Sequence, residues 1–139
     1  MRTNTVRTNY DEFIEVGSVD SQCSSVVTLR RHNDDGGANI EVFHAVGGSG
    51  DIYAGRITPT QSGKIGKAIR GAVSASESGA HSYHRKISGR IEVSYRRGDG
   101  ILVTFSDEEN GYVSFVPYGH CRGKPEGIKM AELFEHVAP

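Results

Sequence analysis

The chain has 139 residues, enough for one compact domain with a buried core. Sixteen Lys and Arg against seventeen Asp and Glu leave a formal charge of −1, with 36% hydrophobic and 24% charged residues. That balance excludes bulk attraction to a polyanion, so nucleic-acid binding would need a local basic patch. No apolar run approaches a membrane span, so no membrane partner is expected. Cys23 and Cys121 form no CxxC motif, and the polar Met1–Thr5 start does not resemble a signal peptide. Reduced thiols and a cytoplasmic location are the expectation.

Residues 1–10 are polar and read as frayed. Phe13–Val16 is a short strand candidate closed by Gly17-Ser18, and Val26–Arg31 is a stronger one, rich in β-branched residues. Asn33–Gly37 is a turn, and Ile40–His44 alternates beyond it. Gly47–Gly50 turns into a fourth strand, Asp51–Ile57. Thr58-Pro59-Thr60-Gln61 then reads as a helix start, with Thr as N-cap, Pro at the first helical position and Gln able to reach back. Ile65, Ala68, Ile69, Ala72 and Val73 form one apolar stripe, and Ser76–Gly79 ends the helix.

The pattern then recurs. Tyr83–Ile87 is a weak strand and Ile91–Arg97 a strong alternating one. Gly98-Asp99-Gly100 turns into Ile101–Phe105, and Asn110-Gly111 turns into Tyr112–Tyr118. After the loop 119–124, with Pro125 as the first helical residue, Met130, Leu133, Phe134 and Val137 give the stripe of a closing helix. Val27-Thr28-Leu29-Arg30-Arg31 parallels Val93-Ser94-Tyr95-Arg96-Arg97, each followed by a turn and an alternating strand. The expectation is an α+β single domain with a duplicated ββββα unit (about 11–78 and 80–137), antiparallel sheets and one helix packed on each. Each helix is expected to cover the sheet of its own half.

Two ββββα units in one chain resemble the Whirly family of single-stranded-DNA-binding proteins. One unit per chain resembles the positive-cofactor type of transcriptional coactivator, and the Pur family of single-strand binders also uses such a repeat. Ile57-Thr58-Pro59-Thr60-Gln61 is similar to the strand-to-helix entry of the coactivator type. The resemblance implies helices on one face of a curved sheet and nucleic acid on another part of the sheet surface.

Strand parity divides the candidate chemistry. Val27, Leu29, Ile40, Val42, Val93, Tyr95, Val103 and Phe105 fall on core-directed faces. The opposite faces carry Thr28, Arg30, His32, Glu41, Phe43, Arg90, Ser94, Arg96 and Thr104, with Tyr53 and Tyr112 as additions. Arg interleaved with aromatic rings suits a single-strand platform, because guanidinium groups pair with phosphates and rings stack on any base. Arg30, Arg31, Arg90, Arg96 and Arg97 are the expected phosphate contacts; Phe43, Tyr53 and Tyr112 are the expected stacking rings.

Other constellations are weaker. Lys64, Lys67 and Arg70 read as the solvated face of the helix, and Gly47–Gly50 lacks the Lys-Ser/Thr of a phosphate cradle. His81 with His84, and His120 beside Cys121, lack a second ligand pair, so no metal or cofactor is expected. Asp34-Asp35 and Glu108-Glu109 lie in solvated turns, so no enzyme is expected either. The expected function is nonenzymatic binding of single-stranded DNA or RNA, as a transcription or replication accessory factor. The alternative is a protein-interaction or oligomerisation module. Exposed strand edges favour a homo-oligomer in both cases.

Overall fold

The computed structural model describes residues 11–19, 25–32, 39–46, 52–98, 100–107, 111–118 and 124–138. The expectations for residues 1–10, the Asn33–Gly37, Gly47–Gly50 and Glu108-Glu109 turns, Cys23, His120 and Cys121 lie outside them. The strands are β1 (Asp11–Val19), β2 (Ser25–His32), β3 (Ile40–Val46), β4 (Ile52–Ile57), β5 (Ser82–Lys86), β6 (Ile91–Arg96), β7 (Gly100–Asp107) and β8 (Gly111–Tyr118). The helices are α1 (Pro59–Glu77), after β4, and α2 (Lys124–His136), after β8. Two antiparallel sheets form, ordered β1-β2-β3-β4 and β5-β6-β7-β8, so the chain is α+β. Among the described residues no helix is long and apolar enough to cross a membrane.

Local chemistry sets most boundaries. Thr58 Oγ1 accepts from the Gln61 N–H at 3.1 Å, and Gln61 Oε1 accepts from the Thr58 N–H at 2.9 Å. This reciprocal cap satisfies two donors that a helix start otherwise leaves unpaired. At the other end Ser78 caps α1, and Gly79 takes the left-handed φ of 82° that ends the helix. The first strand runs further than its sequence suggests. β1 continues through Gly17-Ser18 to Val19, because its register with β2 shifts between Glu15 and Ser18 and the irregularity absorbs the glycine.

Strand parity holds on the core side. Val27, Leu29, Ile40, Val42, Val93, Tyr95, Val103 and Phe105 are all buried and share one core with Ile57, Ile65, Ile69, Ile101, Met130 and Phe134. Each fully buried Ile, Val or Leu among them contributes about 2 kcal/mol. Thr28 and Thr104, expected on the outer faces, are also buried. Both are short side chains on inner strands, registered beside longer residues: Thr28 beside Glu15 and Phe43, and Thr104 beside Glu92.

A helix packs on each sheet, but α1 does so across the two halves. It lies against β5, β6 and β7, whereas α2 lies against β1 and β8. The expectation that each helix covers its own half is therefore corrected: α1 lies on the sheet of the second half, and α2 touches an outer strand of each sheet. Only residues 78–81 separate α1 from β5, so the chain reverses at once and runs back along the helix. Gly71 makes that contact close: a Cβ there would lie 2.7 Å from Tyr83 Cζ. Phe105 of β7 reaches the first sheet in the same way, over Gly55 of β4, where a Cβ would stand 3.1 Å from its ring.

The two helices meet along a seam of small residues. The buried Ser62 hydroxyl donates to the Phe134 carbonyl at 2.5 Å. A Cβ on Gly63 would lie 3.2 Å from Ala138 Cβ, and one on Gly66 would lie 2.6 Å from Glu135 Cγ and 2.9 Å from the Ala131 carbonyl. Beside the seam Arg70 grips Glu135 with two parallel bonds of 2.6 and 2.8 Å. That pairing raises the Arg70 pKa and holds the Glu135 carboxyl below its ordinary value, chiefly through the Arg70 hydrogen bonds.

Two predictions follow from the seam. Gly66→Ala gains helix propensity but forces a backbone carbonyl away, so a net loss of about 1–2 kcal/mol is expected in urea unfolding. Gly89→Ala, where a Cβ meets nothing within 4 Å, is the control and leaves the midpoint nearly unchanged. For Glu135, a folded pKa below the unfolded value means the stabilisation is fully present above the unfolded pKa of about 4.5. It is lost as pH falls through the lowered folded value. Glu135→Gln should therefore be less stable than wild type at pH 7, with the gap closing in acid; an equal gap at both pH values would contradict this.

Candidate nucleic-acid interface

On the outer face of the first sheet three of the expected residues meet. The β2–β3 register sets Thr28 opposite Phe43 and Arg30 opposite Glu41, which makes Arg30 and Phe43 diagonal neighbours. The Arg30 guanidinium carbon stands 4.9 Å over the Phe43 ring centroid. Such a cation–π contact is worth about 0.5–1 kcal/mol at an exposed site. Phe43 in turn packs against Tyr53, with centroids 5.4 Å apart and planes tilted by 55°.

A bulge makes this cluster possible. The β3–β4 register pairs Ile40 with Ile57, Glu41 with Arg56 and Val42 with Gly55, so regular alternation would put Ala54 beside Phe43. It would also turn Tyr53 towards the core, on the parity of buried Ile57. The register shift between Val42 and Phe43 pairs Phe43 with Tyr53 instead. Tyr53 emerges 37% exposed, while Phe43 is half-buried. The platform also holds a carboxylate, since Arg56 bridges to Glu41 at 3.4 Å.

The remaining expected residues divide. Arg31 shares the parity of Leu29 and Val27 and is half-buried. It therefore faces away from Arg30. On the second sheet Arg96 is exposed at the end of β6, on the face of Ser94 and away from buried Tyr95. Arg90 is exposed in the β5–β6 loop, where its carbonyl accepts from the Ser106 N–H at 2.8 Å. Arg97 has a structural tie: its guanidinium donates to the Gly79 carbonyl, and its N–H donates to the His81 carbonyl at 2.9 Å. Tyr112 stands in register with Ser106 on β8, and its side chain lies outside the described residues.

Sequence reading undervalued β5. Its His84, Arg85 and Lys86 are exposed, and His84 Nε2 contacts Glu92 on β6. Residues 81–97 carry five Lys and Arg against one Glu, a formal +4 in a chain of −1 overall. The His-Arg-Lys run is visible in the sequence. Its short alternation hides it, because only Tyr83 packs inward, against Gly71. Among the described residues no group of three His, Cys, Asp or Glu could hold a metal ion.

The ties of Arg97 lend themselves to a simple comparison with an exposed arginine elsewhere on the second sheet's side. Arg97→Ala should lower unfolding stability by about 1 kcal/mol, from the lost charged hydrogen bond to Gly79. Arg90→Ala, exposed in the β5–β6 loop and bonded there through its backbone alone among the described residues, should leave it within about 0.5 kcal/mol, as for an ordinary surface change. Equal effects would remove the distinction. Among known proteins, no family model matches this chain, and no curated protein or solved structure matches it.

Proposed function

We propose that the chain binds single-stranded nucleic acid on the outer face of its first sheet, without catalysing a reaction. The observation that carries this reading is the Arg30–Phe43–Tyr53 cluster: a cation laid on one ring, and a second, exposed ring tilted beside it. Tyr53 is the more accessible stacking surface, since an exposed ring can meet a base with little rearrangement. Phe43 supports it from below and holds Arg30, whose guanidinium can pair with a phosphate or stack on a base. Arg90, in the β5–β6 loop, and Arg96, at the end of β6, supply further phosphate contacts. The repeated ββββα element order, shared with Whirly-type and Pur-type binders, supports the same reading.

Glu41 favours a second reading, in which this face docks a protein partner. Its carboxylate sits in register with Arg30 and would repel a phosphate backbone, whereas Arg, Tyr and acidic neighbours suit a protein interface.

Titration of a fluorescent single-stranded oligonucleotide at low and moderate salt decides between them. Electrostatic capture gives an affinity that falls with salt, with a log–log slope of roughly 0.7 per phosphate contacted. Arg30→Ala with Arg96→Ala should shrink that slope. Tyr53→Ala should cost about 1–3 kcal/mol of binding while leaving the fold intact. Phe43→Ala should weaken binding and stability together. Absence of binding at low salt would sink the nucleic-acid reading in favour of the protein one.

A further inference from the structure

The outer strand of the second sheet is built as an open edge. Arg97 donates to the His81 carbonyl at 2.9 Å and Ile87 donates to the Ile91 carbonyl at 2.8 Å, which fixes the phase of the β5–β6 ladder. Tyr83 and Arg85 therefore exchange their backbone bonds with β6. Ser82, His84 and Lys86 point theirs the other way, away from the sheet. All three are exposed, and among the described residues the only hydrogen bond any of them makes is the side-chain contact of His84 with Glu92. An exposed row of backbone donors and acceptors is a template for another strand.

The usual protections of an edge are incomplete here. β5 has no proline, no glycine and no register shift against β6. What guards it is charge, all of one sign: Arg85 and Lys86. Charge of one sign repels a copy of itself and attracts the opposite. The same chain carries such an opposite. β1, the outer strand of the first sheet among the described residues, reads Asp11-Glu12-Phe13-Ile14-Glu15, with three acidic residues in five.

We infer that the chain self-associates by strand addition, with β5 of one copy pairing with β1 of a second copy. Backbone bonds from Ser82, His84 and Lys86 provide the ladder, and the basic and acidic sequences select β5–β1 pairing over β5–β5 or β1–β1. Reciprocal use of both edges closes a dimer; single use propagates a chain of copies. The inference is independent of what the Arg30–Phe43–Tyr53 face binds.

Light scattering across a wide concentration range tests it, with two kinds of variant. Lys86→Pro removes an outward N–H but no ladder bond, so it should leave the circular dichroism unchanged and shift the protein to monomer. Arg85→Glu with Lys86→Glu should weaken association by about tenfold or more, and adding Asp11→Lys with Glu12→Lys should restore it. A wild-type monomer at every concentration would overturn the inference. So would an oligomer indifferent to both edge variants, which would assign association to another surface. Equal capture of an unrelated acidic strand peptide by a monomeric wild type would also overturn it, marking β5 as an edge for a foreign partner.

Discussion

The close crossing of α1 and α2 is the constraint on which the rest of the molecule depends. Ser62, Gly63 and Gly66 on one helix meet Ala131, Phe134 and Glu135 on the other, and Ala138 just beyond it, at distances that leave no room for a larger side chain. Near the middle of a long amphipathic helix, glycine costs propensity. Here it allows backbone approach, so the apolar stripe of α1 can serve the sheet and α2 at once. The Arg70–Glu135 clamp sets the register of the crossing from its solvent side. Because α1 belongs to the first half of the chain and lies on the sheet of the second, this crossing joins the halves into one core.

With helices and core occupying the inner faces, the outer sheet surfaces are turned away from the core. They differ in character. The first sheet offers rings and a guanidinium held by one another, in a mixed-charge setting of Arg30, Glu41 and Arg56. The second offers a run of basic side chains on a short outer strand. A near-neutral chain therefore carries a local excess of basic side chains. Local fields decide what approaches within a Debye length, about 10 Å at moderate salt, while net charge governs only longer range.

Turns and bulges do the fine positioning. The shift between Val42 and Phe43 rotates Tyr53 from core parity to outer parity, and without it no aromatic pair would exist on that face. The four-residue reversal after α1 places Tyr83 on Gly71 and so presents β5 as an edge. Arg97, one residue beyond Arg96, is diverted to the carbonyl at the helix end. Adjacent arginines thus point apart, since neighbours along a strand diverge.

The sequence by itself determined the α+β class, the capping box at Thr58 and Gln61, the two apolar helix stripes and the inward parity of Val27, Leu29, Ile40, Val42, Val93, Tyr95, Val103 and Phe105. These are local, because hydrophobic period and cap chemistry act over a few residues and are written in consecutive positions. It also brought Arg30 and Phe43 to one face, since both obey simple alternation. Tertiary structure alone decided that α1 crosses to the other sheet, that Thr28 and Thr104 are covered and that Arg97 is tied to Gly79. It alone decided that a bulge turns Tyr53 outward. Each of these depends on which distant residue lies opposite, a matter of register and crossing geometry that single-chain periodicity does not encode.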